Sequence, residues 1–508
     1  MIRALFLLLL PLSLVAAPQN LKTLLARLDP TSVSHHLAFY DLYPDTHEGQ
    51  MALSRAFNLL NQGHLSYGSP TSLPLPDLST IDTLIRMTTK PNDEQLPSLT
   101  EAERRTIRHL GSHLGNRRLE GYRLDSLDHL LRLPPEEIDL ARALFLSEMS
   151  TTAHTTAEVE SYEAMLDLMA LQIQARLSPK SSSLDKVKEM NRFIFEELQF
   201  RFPPHSEYAK DIDLYTFLPS VMDSRRGVCL GVSILYLALA QRLDLPLEIV
   251  TPPGHIYVRF RDGKEVVNIE TTARGVHVDS DEYLSLNTRE LQLRDLRETV
   301  GFSHVNRASV YWSTQDFEKA RKSYEIALLF IKDDPLIEEL YGFTLILTGD
   351  KKRGLEVLQS SQSKRSPHLL YREPLAEDFL LGRVDEAGIV STFISVDETR
   401  ESLLEKKNEL TKILKKHPKF RSGWLNLAST ELQLLREKEA LTCLEKLHQL
   451  DPQNPTSEYL LAALHTKRMN YPKAWQHLDH TKSITEEHQH DPEALKKLEQ
   501  QLWILSPN

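Results

Sequence analysis

Arg225-Arg226-Gly227-Val228-Cys229-Leu230-Gly231-Val232 opens a stretch that runs through Pro252-Pro253-Gly254-His255-Ile256-Tyr257-Val258 and closes on Asn268-Ile269-Glu270-Thr271-Thr272. After Cys229, the residues Val232, Leu235, Tyr236, Leu239 and Leu243 recur at the spacing of a helix with one buried face. That spacing puts Cys229 in the first turn, where unpaired N–H groups and the helix dipole favour an anion. Arg225 and Arg226 add positive charge just upstream and are expected to stabilise a thiolate. A cysteine in such a position is expected to act as a nucleophile.

From His255 to Phe260 apolar Ile256, Val258 and Phe260 alternate with His255, Tyr257 and Arg259, and the run Glu265 to Glu270 alternates too. Asp262-Gly263 between them is a two-residue hairpin signal. Taken as the turn centre, it sets Ile256 opposite Ile269, Val258 opposite Val267, Tyr257 opposite Asn268 and His255 opposite Glu270. Directly opposed residues hold their Cβ atoms about 4.5–5.5 Å apart, so a carboxylate is expected beside the imidazole. Cys229, His255 and Glu270 then read as nucleophile, base and orienting acid. Asn268, on the same face two residues away, is the alternative third member.

Cysteine at a helix N-terminus, histidine opening one strand and an acid on the next, before Thr271-Thr272, resembles the transglutaminase-like superfamily, a circularly rearranged relative of papain-type folds. More narrowly, residues about 160–285 resemble the SirB-type transglutaminase-like core of bacteria. Met190-Asn191-Arg192-Phe193-Ile194-Phe195, Arg225-Arg226-Gly227, Leu235-Tyr236-Leu237-Ala238 and Pro253-Gly254-His255 carry the resemblance. Many members of that branch have proline where this chain has Cys229, and the superfamily usually shows Asp where this chain has Glu270. The resemblance implies an amide-directed thiol chemistry for the residues that match.

With 508 residues the chain has room for two to four domains, and only 18 glycines beside many Leu, Glu and Lys favour a helix-rich protein. A net charge of −11 argues against general nucleic-acid binding. The lysines around Lys406–Lys419 are interleaved with or preceded by Glu401, Glu405 and Glu409, the pattern of a solvated helix face. Met1-Ile2-Arg3, the apolar run Ala4–Ala17 and Val15-Ala16-Ala17 read as a secretory signal peptide, so export to a periplasmic or extracellular space is expected. No other stretch has the length of an apolar span. Cys229 and Cys443 are the two cysteines, too few and too separated for a disulfide framework, and Cys443 reads as a small packing residue. The Cys/His spacing of a zinc site is absent, so His35, His36 and His205 are expected to be surface or core residues, and neither metal nor cofactor is expected.

Residues 18–179 read as a helical region without a chemical motif. Glu101–Leu114, the segment after Pro134-Pro135-Glu136-Glu137, Val159–Leu177 and Leu184–Phe200 read as helices, and Gly63–Pro76 as a loop. Arg274–Thr299 is polar and is expected to be helical, with Asp279 or Ser280 as its N-cap. Beyond it the pattern changes. Tyr311, Asp316, Phe317, Ala320, Tyr324, Ala327 and Pro335 follow the spacing of a tetratricopeptide repeat, and Trp424-Leu425-Asn426-Leu427, Glu439-Ala440 and Asp451-Pro452 give the clearest later copy. Ser366–Thr399 fits that period poorly. The expected architecture is therefore α+β: a signal peptide (1–17), a helical N-terminal region (18–179), a papain/transglutaminase-like core of helix on small antiparallel sheet (180–300), and a C-terminal α-solenoid of tetratricopeptide repeats (301–508).

Two functions fit this organisation. In one, the protein is an exported thiol enzyme that cleaves or transfers an acyl group through a Cys229 thioester. In the other it is a non-catalytic adaptor whose repeats bind a protein or peptide while the core keeps only its fold.

Overall fold

The helix expected after Cys229 spans Cys229–Arg242. It is buried on every side from Leu230 to Ala240, not on one face. The helices Leu140–Met149, Thr156–Gln174 and Leu218–Ser224 pack around it together with the sheet. Arg242 at its end is buried, a position that demands a partner, and its Nε donates to Asp167 Oδ1 at 2.8 Å. The computed structural model describes residues 20–61, 76–90, 94–149, 155–203, 215–263, 265–364, 366–397 and 399–506. The expected signal peptide, most of the Gly63–Pro76 loop and His205 lie outside the described residues.

Four strands form one antiparallel sheet in the order β3-β2-β1-β4: β1 Glu248–Thr251, β2 Tyr257–Asp262, β3 Glu265–Ile269 and β4 Gln292–Arg294. The hairpin forms as expected, but its register is displaced by two residues. Val258 pairs with Ile269, Arg259 with Asn268, Phe260 with Val267 and Asp262 with Glu265. The turn therefore lies one residue later than Asp262-Gly263, with Gly263 at φ +58° supplying the left-handed conformation. Because side chains alternate with a period of two, a slip of two keeps every residue on its face.

Thr156–Gln174 and Ser183–Asn191 each begin with a capping box, Thr155 with Glu158 and Ser182 with Asp185. Arg192–Glu197 continues the second as a π-helical turn. The segment expected as helix from Arg274 to Thr299 is mostly something else. It holds one 3-10 turn, Ser280–Tyr283, after Asp279, then β4, and helix starts only at Leu296. Its backbone groups pair with the sheet instead: the Glu270 N–H donates to Val276 O at 3.0 Å, and β4 closes on β1 with Val250 opposite Leu293.

Paired helices follow, Leu296–Ser313 with Phe317–Phe330 and Pro335–Leu347 with Lys351–Ser363. Where the period fails, between Ser366 and Thr399, there are two short helices, Leu375–Leu380 and Glu386–Thr392. Regular pairing resumes through Arg421–Gln433, Glu437–Leu450, Pro455–Lys467 and Tyr471–Glu486. One continuous hydrophobic cluster contains Phe57 and Leu144 of the N-terminal region, Leu235 of the Cys229 helix, and Val300, Phe343 and Leu427 of the repeats. Among the described residues no helix is long and apolar enough to cross a membrane.

Candidate active site

Two glycines let the Cys229 helix start where it does. A Cβ on Gly231 would stand 2.2 Å from Tyr215 O, and one on Gly227 would stand 2.6 Å from Val232 Cγ2. The close approach is fixed by the Val228 N–H on Tyr215 O (3.2 Å) and the Gly227 N–H on Arg201 O (3.1 Å). Val228 is the N-cap, and the first bond of the helix ladder is Val232 N–H to Val228 O at 3.0 Å. The N–H of half-buried Cys229 therefore belongs to the turn that has no acceptor within its own helix.

Bonds to the backbone of neighbouring segments fix the arginines upstream. Arg225 caps the preceding helix in the left-handed region (φ +53°). Its guanidinium, expected to face the thiol, donates to Lys90 O at 2.6 Å and Leu198 O at 3.4 Å. Arg226 forms a backbone bridge to Arg201. Both therefore hold the segment that presents Cys229.

His255 follows a tight turn in which its N–H donates to Pro252 O at 3.1 Å. Pro253 and Gly254 occupy the turn's centre, and Gly254 takes φ +72°, as the third position of a type II turn requires. The imidazole Nε2 lies 2.6 Å from Glu270 Oε2. The same imidazole is near enough to the Cys229 side chain for the thiol to favour its protonated form. The two-residue slip takes His255 and Glu270 out of direct opposition, and the paired ladder ends at Val258–Ile269 before reaching them. For a carboxylate that is not directly opposed, the extra methylene of Glu over Asp is useful length.

Glu270 is gripped by more than the histidine. It N-caps the 3-10 turn Thr271–Ala273, and its Oε1 accepts from the Thr272 N–H (3.1 Å) and Thr272 Oγ1 (2.5 Å). Its Oε2 also accepts from the Tyr283 hydroxyl. The Tyr283 ring stacks on His255 at 5.7 Å and on Tyr257 at 4.6 Å between centroids. Burial pushes the Glu270 carboxyl up, yet the bonds from His255, Thr272 and Tyr283 outweigh it and hold the pKa down to about 2. Burial likewise disfavours a charged His255, and the bonds to Cys229 and Glu270 outweigh that and raise it to about 10. Thr271 ties the two halves together, with Oγ1 3.1 Å from Ser233 Oγ and 3.4 Å from Cys229 O.

Cys229, His255 and Glu270 are thus brought together, and Asn268 is not brought to the histidine. It pairs with Arg259, accepts from Arg259 Nε at 2.8 Å, and donates through Nδ2 to Val278 O (2.7 Å) and Ser280 Oγ (3.1 Å). Sequence reasoning misses Thr272 and Tyr283 as members of the site. A Thr beside an acid at a strand end is a readable signal, whereas Tyr283 lies in a segment that reads as helical. Cys443 is buried in Glu437–Leu450, where burial, helped by nearby Glu431, pushes its thiol up to about 11. His36 is a core histidine whose Nδ1 lies 2.8 Å from Ser32 O. A cavity of about 470 Å³ is lined by His35, Lys90, Arg192, Glu196 and Arg225 among others, and Cys229, His255 and Glu270 are not in its lining.

Comparison with known proteins matches residues 160–300 to the transglutaminase-like superfamily and residues 303–331 to a tetratricopeptide repeat. The chain joins a transglutaminase-like domain to tetratricopeptide-repeat helices. The matched transglutaminase-like domain takes in most of the Thr156–Gln174 helix and all four strands. Human F-box only protein 21 is 27% identical over 123 residues, 23% of this chain and 18% of that protein. A UPF0162 protein of Xylella fastidiosa is 28% identical over 97 residues, 19% of this chain and 34% of that protein. The chain therefore spans about a fifth to a third of the length of these relatives. Solved structures similar to it include the TPR2AB domain of yeast Sti1 (20% identity, TM-score 0.21, 41% of this chain and 85% of that one). Another is PilW, a type IV pilus biogenesis factor (15% identity, TM-score 0.20, 39% of this chain and 82% of that one).

Proposed function

We propose that the transglutaminase-like domain is a thiol enzyme acting on an amide carbonyl, and that the repeats bind a protein or peptide partner. The observation that supports it is the convergence of Cys229 and Glu270 on the His255 imidazole, both favouring its protonated form, with 2.6 Å between Nε2 and Oε2. With Nε2 turned to the carboxylate, Nδ1 is the ring nitrogen left for the thiol.

His255 takes the Cys229 proton, and the sulfur attacks the carbonyl carbon to form the C–S bond. The oxygen that becomes negative is stabilised by the Cys229 N–H at the helix N-terminus. The imidazolium then protonates the leaving nitrogen as the C–N bond breaks, which gives a thioester and a free amine. Water or a primary amine attacks the thioester, and its proton passes to His255 and back to sulfur. Glu270 holds the imidazole's orientation and stabilises its charge throughout. Thr272 and Tyr283 position Glu270. The sequence of residues 1–17 supports export of this enzyme before it acts.

The test is a thiol-directed electrophilic probe applied to the native full-length protein, with the labelled residue read by peptide mass spectrometry. Cys229 is expected to label and Cys443 to resist. Equal, slow labelling of both would replace the enzyme with the adaptor, in which the repeats act alone. Adding a tagged primary amine separates transfer from hydrolysis. N-terminal sequencing after expression in a bacterium tests export, with loss of about 17 residues as the expected result.

A further inference from the structure

The C-terminal repeats gather a second set of chemistry-bearing side chains, from three successive helices. His448 comes from the last turn of Glu437–Leu450, Glu458 from the first turn of Pro455–Lys467, and His477 and His480 from Tyr471–Glu486. The Glu458 side chain is 0% exposed and that of His477 is 11% exposed. His448 Nδ1 lies 2.6 Å from Glu458 Oε1, His477 Nδ1 lies 2.9 Å from Oε2, and His480 Nδ1 lies 3.2 Å from Oε2. Among the described residues, the ionisable side chains bonded to Glu458 are all imidazoles. The cluster is crowded: the His448 and His477 ring centroids are 5.4 Å apart, and His465 stacks on His477 at 5.6 Å. Among the described residues, the Nε2 of buried His465 has no hydrogen-bond partner.

A buried carboxylate requires a compensating positive charge. Protonating one imidazole would supply it, but each further imidazolium packed against the first adds repulsion at close range in a medium of low dielectric. A single multivalent cation removes the conflict, because neutral imidazoles then turn lone pairs, and the carboxylate an oxygen, toward one centre. The donor atoms of His448, Glu458 and His477 all lie within 4.8 Å of one another. Donors of a tetrahedral zinc site, with bonds of about 2.0–2.1 Å, lie about 3.3 Å apart, so small side-chain rotations suffice. Imidazole and carboxylate together suit zinc and its transition-metal neighbours rather than calcium or magnesium.

We propose that His448, Glu458 and His477 bind one divalent transition-metal ion of the zinc class, with His480 or water in the fourth position. The ion fastens three consecutive helices of the repeat array to one another. The sequence expectation of no metal rests on the absence of a short Cys/His motif. Here the ligands are 10 and 19 residues apart on separate helices, so no such motif arises.

The test uses the full-length protein, stripped with chelator, dialysed against Zn²⁺ and analysed for retained metal and for thermal melting. One ion per chain and a raised melting temperature are expected. His448→Ala and His477→Ala should each weaken Zn²⁺ retention by about 10²-fold or more, since loss of even an outer-shell partner costs about 10–100-fold. Glu458→Gln should do the same, and if that variant fails to fold, His448→Ala, which alters a ring at a helix end, decides. Cys229→Ser should retain the ion, which separates this site from the thiol. Failure of the native protein to retain Zn²⁺, or undiminished retention in both histidine variants, would overturn the proposal.

Discussion

Among the described residues a buried glutamate meets histidine twice, at His255–Glu270 in the transglutaminase-like domain and at His448–Glu458–His477 in the repeats, each time with a closest approach of 2.6 Å. The two differ in what else holds the carboxylate. Glu270 receives hydrogen bonds from the Thr272 amide and hydroxyl and from Tyr283, so it is saturated by groups that never ionise at neutral pH, and it fixes a single imidazole. Glu458 is surrounded by three imidazoles. A carboxylate tied down by neutral donors can orient one histidine toward a third group, which here is Cys229. A carboxylate whose neighbours are all lone-pair donors collects a cation.

Breaking the first arrangement should have the largest effect. Glu270→Gln keeps the volume but cannot stabilise an imidazolium, and turnover is expected to fall by about 10⁴, the cost of the comparable change in a serine-protease triad. The same variant should leave Zn²⁺ retention in the repeats untouched; a loss there would mean that the two sites are coupled. His255→Ala should slow probe labelling of Cys229 at about pH 6.5 by about 10²-fold, since a free thiol with a pKa of about 8.5 is largely protonated there. Labelling at an unchanged rate would remove the histidine from the thiol's activation.

Asn268→Ala sharpens the choice of third member. Its amide holds Arg259 and the 278–280 segment, so the expected result is a lowered melting temperature and a loss of turnover of only about tenfold. If turnover fell further than in Glu270→Gln with folding intact, Asn268 would be the orienting residue. The smallest effect is a pH window. Glu270 is held at about 2 against an ordinary 4.5, so its contribution to stability is present above pH 4.5 and lost as pH falls through 2. His255 is raised from 6.5 to about 10, so its contribution is full below pH 6.5 and lost as pH rises through 10. The melting-temperature difference between native protein and Glu270→Gln should therefore be greatest between about pH 4.5 and 6.5 and shrink on both sides. A difference independent of pH would mean that the pair carries no net charge interaction.

Much of this site is legible in the amino-acid sequence. The helical spacing after Cys229 and the alternation on either side of Asp262-Gly263 are local signals, and both elements form. The expected register is off by two residues because the turn centre sits one residue later. The face assignment holds all the same, since only an odd slip would turn Glu270 away from His255. Tyr283 and β4 are not legible. The polar run after Arg274 reads as helix, and its actual place is set instead by pairing with β1 and by the reach of one tyrosine back to Glu270. The histidine cluster is hidden for a similar reason: the repeat pattern explains where the helices lie, and the facing of His448, Glu458 and His477 arises only when the helices stack.

Arg294 ends β4 and sits two residues before the first repeat helix. Its guanidinium reaches Thr251 on β1 (3.2 Å), Glu298 in that helix (2.8 Å) and Asp334 at the head of the next pair (2.8 Å). Asn306 adds a bond to Thr216, which lies beside the start of the Cys229 helix, at 2.9 Å. The passage from one half of the protein to the other is therefore a welded joint rather than a tether. A load applied to the repeats by whatever they grip would be carried into the β4 edge of the sheet whose far strands, β2 and β3, present His255 and Glu270, with no slack in between to absorb it.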